Sequence, residues 1–437
     1  MVRVLLIVIF SFLYVNTYAQ KKTKKAAKPQ ILVYGHEAGA FSAAIQSARS
    51  GVETLLIIDS THIGGALISG KNKQISTNHH LDVGTWAFFL RGIANVKTIS
   101  DSASRAAKNN ISPRIAQNVL EGTLDTVQRL SFRKNLKISA LEKSGKNWQV
   151  TLSSKDKIKV KAIVDASLNA SLSALITKNE DPHPAPAANI QLKAVQYNDP
   201  LYRTGIAVGA IEDKIFNIPL KSILPDSNRT NYFVVNALND AHLLNGNDVP
   251  MTMLLAQACG AAAAYCAFFD VSSDKINVRT LQGELLAYKG FIMPFQDVSL
   301  DDPHATQIQH VGATGILQGV YKDEGNSKKF LFLPDSLVSS KQIEPVIKQL
   351  FTRSQIWFKD KNIPALKLSD VLSLIKYVAN RGNELDVEVE KGWKKRFRFK
   401  SEFKQSNLLS RRQLAVLLDT YLQPFNVRIT SDGNFQY

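Results

Sequence analysis

The chain has 437 residues, 45% of them hydrophobic, which is ample for a real core and fits two or three domains. Fifty-four Lys and Arg against 37 Asp and Glu give a formal charge of +17, spread along the chain rather than held in one block. Two cysteines exclude a four-cysteine iron–sulfur cluster.

The N-terminus reads as a secretory signal peptide over residues 1–19. Met1-Val2-Arg3 precedes an apolar run from Val4 to Leu13, and Thr17-Tyr18-Ala19 offers a cleavage site before Gln20. The run is too short for a spanning helix with these flanks, so the protein is expected not to be transmembrane but secreted, periplasmic or in the cell envelope. Residues 20–30 follow as a basic linker carrying five lysines from Lys21 to Lys28.

Ile31 to Gly65, ILVYGHEAGAFSAAIQSARSGVETLLIIDSTHIGG, reads as strand, tight turn, helix and strand. Ile31-Leu32-Val33 is the apolar run a buried parallel strand needs, and Ala38 to Ala44 supplies small residues where a helix packs closely on a sheet. Gly51 ends the helix and Thr54 to Ile58 is the second strand. A right-handed crossover of this kind aims the helix N-terminus at whatever lies beyond the strand ends. A pyrophosphate is held there by G-x-G-x-x-G. Aligned on Gly35, this chain has Gly35, Glu37 and Ala40, so only the first glycine of the fingerprint is kept. Glu37 brings a carboxylate to the place of the phosphate oxygens, and a helix N-terminus favours an anion, so Glu37 is positioned to stand in for one. The acid expected to grip the ribose is replaced by Ile58, with Asp59 one place later. Two readings stay open: a nucleotide cradle, or a helix–strand packing unit with no ligand. His36 is equally an anion contact or a surface turn residue.

VYGHEAGAFSAA and His62-Ile63-Gly64-Gly65 resemble the first strand–turn–helix and the second-strand end of secreted FAD-dependent oxidoreductases. Three later segments resemble the same family in the same order. ISPRIAQNVLEGTLDTV, a hairpin-like region and KAIVDASLNASLSALI lie within Ile111 to Ile176. FNIPLKSILP spans Phe216 to Pro225. Asn231 to Ala264 ends in MTMLLAQACGAAAA. The resemblance covers about 230 residues and implies an α/β fold, a Rossmann-like FAD/NAD(P)-binding parallel sheet over residues 31–292. It also implies FAD as cofactor, held by Gly35, His36, Glu37, Gly39, Ala40, Asp59, Gly64, Gly65 and Asp165. The departures are the turn Asn169-Ala170-Ser171, the segment Asn236-Ala237-Leu238, and Asn247-Asp248-Val249-Pro250 where the family usually places an arginine. Only the Pro-rich loop Thr177 to Asn189 stands where the family inserts a substrate domain. Two functions follow: an FAD-dependent oxidoreductase with a small-molecule substrate, or a pseudoenzyme that keeps the fold as a cell-envelope scaffold or binding protein.

Other candidates carry less. His79-His80 with Asp82 are near-adjacent ligands in a polar turn, which rarely converge, and they lack the fixed spacing that a three- or four-ligand zinc site needs. Asp181 and His183 have no visible nucleophile partner. Cys259 and Cys266 share a predicted helix with about 10 Å of rise between them. That exceeds the reach of a disulfide, about 7 Å between α-carbons, and they read as core residues.

Residues 295–437 change character to a smaller, mostly helical region. Phe295-Gln296-Asp297-Val298, His304-Ala305, VGATGILQG and Phe332-Leu333-Pro334-Asp335 form a series that resembles S-layer homology modules. The second-helix start appears as Ser339-Ser340-Lys341-Gln342 and again as LSRRQLAVLL from Leu409, with Ser410 as N-cap. A degenerate pair of modules is expected over Phe295 to Pro424, closed by a strand pair near Val427 to Phe435. The resemblance implies an acidic cell-envelope polymer as partner, with Lys341, Arg411 and Arg412 as contacts; a helical cap on the first domain is the alternative. The basic aromatic stretch WKKRFRFKSEFK from Trp393 is read as a basic surface rather than a nucleic-acid site, so no nucleic acid is expected.

Overall fold

Ile31, Leu32, Val33 and Tyr34 form β1 (Ile31–Tyr34), and all four are buried, as the central strand of a parallel sheet must be. The computed structural model describes residues 28–75, 79–98, 100–176, 194–211, 214–225, 227–235, 248–325 and 327–437. The Pro-rich loop with Asp181 and His183, and Asn236-Ala237-Leu238, lie outside the described residues.

A helix, Ala38–Arg49, crosses from β1 to β2 (Thr54–Ile58), and three further helices lead to β3 (Leu130–Lys134). The expected hairpin-like region is a three-stranded antiparallel meander, β4 (Ile138–Ser144), β5 (Asn147–Leu152) and β6 (Lys157–Val160). It returns the chain to β7 (Ala162–Asp165). An antiparallel pair, β8 (Gly205–Ile211) and β9 (Lys214–Pro219), precedes β10 (Tyr232–Val234). The main sheet runs β10-β7-β1-β2-β3 with every pairing parallel. This is a Rossmann-like sheet.

The alternating faces of these strands bury against different partners. Leu32, Tyr34, Leu55, Ile57 and Ile163 pack on Leu141, Trp148 and Val150 of the meander. Ile31, Val33, Leu56 and Val164 pack on the helices, above all Val249–Phe269. This 21-residue helix is long and apolar enough to cross a membrane, but 78% of its most apolar window is buried in the fold, as befits a core helix. It touches the crossover helix through backbone. A side-chain carbon at Gly260 would collide with the Ala43 carbonyl, and Ser47 Oγ donates to the Gly260 carbonyl at 3.0 Å. Cys259 and Cys266 are free and buried in this helix, their thiols pushed up to about 12 by burial.

The C-terminal region continues the same apolar core. Asp297 accepts from the N–H groups of Phe332 and Leu333, each at 2.7 Å, so the two ends of the spaced sequence series are tied together. Between them lie the helix Ala305–Thr314 and the hairpin β11 (Val320–Glu324) and β12 (Ser327–Leu331). The expected pair of helix starts proves to be three. Extended segments before Ser340–Leu350, Leu368–Ala379 and Arg411–Tyr421 bond in a ring: Leu366 N to Val338 O at 2.8 Å, Leu409 N to Leu366 O at 2.9 Å, and Arg411 N to Ser336 O at 2.9 Å. Gln342, Asp370 and Gln413 each accept from the N-cap N–H of their helix, the reciprocal half of a capping box. Where a closing strand pair is expected near Val427 to Phe435, the chain forms only a single antiparallel bridge between Ile429 and Phe435.

Candidate functional site

The carboxyl ends of β1, β2 and β7 meet the N-terminus of the crossover helix, where an open parallel sheet binds its ligand. Gly35 leaves β1 with φ +135°, and a side-chain carbon there would lie 2.5 Å from the Ala166 carbonyl oxygen. Glycine is required at this point by both conformation and space. On the other side, Gly64 and Gly65 have φ +131° and +45°, and the Gly64 N–H donates to the His36 carbonyl at 2.7 Å. Glu37 and Gly64 form a parallel bridge, so the turn after β1 and the loop after β2 are laced together by backbone. Gly39 faces Val235 after β10 and the long helix, where an added carbon would sit 3.2 Å from Val235 and 3.3 Å from Thr252, and Ala40 is fully buried.

Glu37 is the N-cap of the crossover helix but makes no side-chain cap bond. Its carboxylate instead turns across the turn and lies against Gly65, where any side chain would overlap it, and accepts from the Ala66 N–H at 3.3 Å. His36 bridges two acids: Nδ1 meets Asp59 Oδ1 at 2.7 Å and Nε2 meets Glu37 Oε1 at 3.4 Å. Beside Asp59 stands Tyr34, whose hydroxyl is pushed up to about 12 by burial first and then by the charges of Asp59 and Asp165.

Asp165 is fully buried and committed to the fold. Its oxygens accept from the Ser167 N–H at 3.1 Å and hydroxyl at 2.5 Å, from Leu172 N–H at 3.0 Å, and from Tyr232 Oη at 2.7 Å. Burial nevertheless holds its carboxyl above the ordinary range, because desolvation outweighs these donors. The structure therefore brings Gly35, His36, Glu37, Gly39, Ala40, Asp59, Gly64 and Gly65 together and sets Asp165 beneath them as the fastening of the turn after β7.

Sequence reasoning missed the pairings of His36 with Asp59 and of Tyr232 with Asp165, both set by strand register. Nor did it find the buried ion pair of Asp82 with Lys108, at 2.6 Å, beside Trp86. That pair gives Asp82 a structural place, and among the described residues no cluster of His, Cys, Asp and Glu could hold a metal. A separate cavity of about 360 Å3 lies between residues 194–202 and β9, lined by Val195, Asp199, Tyr202, Asn217, Lys221 and Ser222.

The C-terminal contacts also differ from expectation. Arg411 is buried and donates to the carbonyls of Phe332 and Gln318, both at 2.6 Å, so it is a brace rather than a polymer ligand. Arg412 pairs with Asp302 and, at 3.3 Å, Asp335. Lys341 is exposed. In the basic aromatic stretch Trp393, Phe397 and Phe399 are buried and Phe403 is half-buried.

The sheet and cradle define a Rossmann-like dinucleotide-binding fold. Residues 30–176 match the sequence profile of a family described as FAD dependent oxidoreductase. That match supports FAD as the cofactor of the cradle. Among solved structures, the chain is similar to a bacillithiol disulfide reductase from Staphylococcus aureus, at 15% identity and TM-score 0.25, over 33% of this chain and 39% of that one. It is also similar to OTEMO in complex with FAD and NADP, at 18% identity and TM-score 0.25, over 32% of this chain and 26% of that one. A thioredoxin reductase from Bacillus anthracis matches at 9% identity and TM-score 0.22, over 32% and 36%. The chain thus spans well under half the length of these proteins. No curated protein matches it.

The backbone of the cradle fits a dinucleotide: glycines at 35, 64 and 65 keep side chains out of the turn, and the helix N-terminus faces the opening. One side chain stands in the way. The Glu37 carboxylate lies over Gly65, but it is a partly exposed group on rotatable bonds, so the obstruction is movable.

Proposed function

We propose that this chain is an FAD-dependent oxidoreductase-like protein whose nucleotide cradle is guarded by its own carboxylate. The arrangement of Gly35, Gly64 and Gly65 around the helix N-terminus, within the segment that matches the family, carries this reading. The backbone of Gly35 to Ala40 and of Gly64-Gly65 would hold the pyrophosphate, and Asp59 lies at the end of β2, the ribose side. Flavin, when bound, accepts and returns a hydride or electrons. The protein's part is to orient it and to keep water from the reacting face. A small-molecule substrate fits the scale of the cavity beside β9.

A second reading is favoured by Glu37 itself. A carboxylate that lies across the mouth of the cradle, against Gly65 and bonded to the Ala66 N–H, occupies space that a pyrophosphate would need, which suits a pseudoenzyme retained as scaffold. The domain plan, with a signal peptide over 1–19, a basic linker over 20–30, the cradle domain over 31–292 and an S-layer-homology-like unit over 295–437, is part of the proposal. So are export to the periplasm or cell envelope and an acidic polymer as partner; the exposed Lys341 and the +17 charge support the last.

The visible spectrum of the purified protein, after incubation with excess FAD and removal of the unbound fraction, separates the readings. Stoichiometric flavin absorption supports the oxidoreductase. A folded protein by circular dichroism with no flavin supports the scaffold.

A further inference from the structure

The cavity of about 360 Å3 beside β9 is lined by acceptors that the fold leaves without donors. Its volume is at the small end of the roughly 300–1,000 Å3 usual for ligand sites, the scale of one sugar ring rather than a nucleotide. Asn217 of β9 lines it and is 4% exposed. Its Nδ2 donates to the Tyr202 carbonyl at 2.7 Å, and glycine at 205 leaves room for this, since a side-chain carbon there would lie 2.5 Å from Nδ2. The Asn217 Oδ1 has no hydrogen-bond partner among the described residues. A buried acceptor without a donor is costly, so the group calls for a ligand that brings one.

The rest of the lining divides in the same way. Asp199 caps the short turn Pro200–Thr204, where Oδ1 accepts from the Leu201 N–H at 3.0 Å. Its Oδ2 and the Ser222 hydroxyl have no partner among the described residues. Tyr202 gives its hydroxyl to the Thr314 carbonyl at 3.2 Å, so it offers the cavity a ring rather than a polar tip, beside Val195 and Pro219.

Charge restricts the occupant from both sides. Behind Tyr202 lie Arg203, 5.1 Å from its ring centroid, and Arg279, both buried. They donate to the carbonyls of Thr314, Gly433 and Arg203 and to the Gln282 amide, with no carboxylate as counterion among the described residues. A cationic ligand would meet these guanidinium groups across a wall of low dielectric. An anionic ligand would meet the Asp199 carboxylate, while the lining lysine, Lys221, is engaged by Asp432 at 3.2 Å.

We propose that this cavity binds a neutral polyhydroxylated ligand, a hexose or cyclic polyol. Its hydroxyls donate to Asn217, Asp199 and Ser222, and its C–H face lies against Tyr202 and Pro219. The proposal rests on the reading above that the small molecule enters this cavity, and not on flavin being bound.

Saturation-transfer NMR on the purified full chain tests it. The neutral probes are glucose, galactose, mannose and myo-inositol; the charged ones are glucuronate and, at slightly acidic pH, cationic glucosamine. At least one neutral probe should bind at a single site, at least about tenfold more tightly than either charged probe. Asp199→Asn, which keeps the capping oxygen, should weaken that binding about tenfold, and Ser222→Ala about threefold, with circular dichroism unchanged. Absence of binding by all four neutral probes overturns the proposal. So does binding that both variants leave unchanged, or that either charged probe exceeds. Flavin-loaded and flavin-free protein are titrated side by side. Sugar binding by a chain that takes up no flavin contradicts only the oxidoreductase reading, and flavin uptake without sugar binding contradicts only this one.

Discussion

The carboxylate of Glu37 and the α-carbon of Gly65 lie in direct contact across the mouth of the cradle, with the Ala66 N–H donating to the same carboxylate at 3.3 Å. Residues 28 apart in sequence are thereby matched in size: an acid reaches over because position 65 has no side chain.

That match is testable as a coupling. Gly65→Ala must displace Glu37 and also adopt φ +45°, a left-handed conformation that costs about 1 kcal/mol for alanine. In a Glu37→Ala background the clash is gone and only the backbone cost remains. Urea unfolding of the two single variants and the double variant should give a coupling of about 1 kcal/mol or more. Additive effects would mean that the carboxylate does not rest there.

Asp165 makes stability pH-dependent in a defined direction. Its folded carboxyl titrates above the ordinary value, so the native state holds more protons than the unfolded chain between those two values. Stability therefore falls as pH rises through that window and levels off beyond it. Tyr232→Phe removes a donor to the ionised form, moves the upper limit of the window higher, and costs about 1–3 kcal/mol near neutral pH. Asp165→Asn removes the slope. Urea midpoints measured between pH 4 and 8 check both.

Much of this was legible in the sequence. The bounds of β1, the crossover helix and β2 follow from an apolar run, a row of small residues and Gly51, all local signals. Ser339 and Ser410 announce their helices by capping chemistry that acts over three residues. What stayed hidden depends on register or on distance. His36 meets Asp59 because β1 and β2 pair in parallel, with Tyr34 beside Ile57, which no local pattern encodes. The third helix start was overlooked because Lys367 stands at its N-cap; only Asp370, three places on, signals it. Arg411 reads as a surface cation beside Arg412, yet the turn at Phe332 supplies carbonyls that draw it inside.

The buried brace gives a third expectation. Arg411→Ala strands the carbonyls of Phe332 and Gln318 and should cost about 3 kcal/mol, with little rescue by lysine, which lacks the planar fork. Arg412→Ala loses a partly exposed pairing and should cost about 1 kcal/mol or less. Thermal or urea unfolding distinguishes them; equal effects would place both arginines at the surface.

Titration of FAD into the wild-type protein and Glu37→Gly, followed by flavin fluorescence, tests the guarded cradle most directly. Removing one carboxylate from the volume a pyrophosphate needs should tighten binding by at least about tenfold, the equivalent of 1.4 kcal/mol. Equal or weaker affinity in Glu37→Gly, with the fold intact, would show that the carboxylate does not stand where the phosphates go.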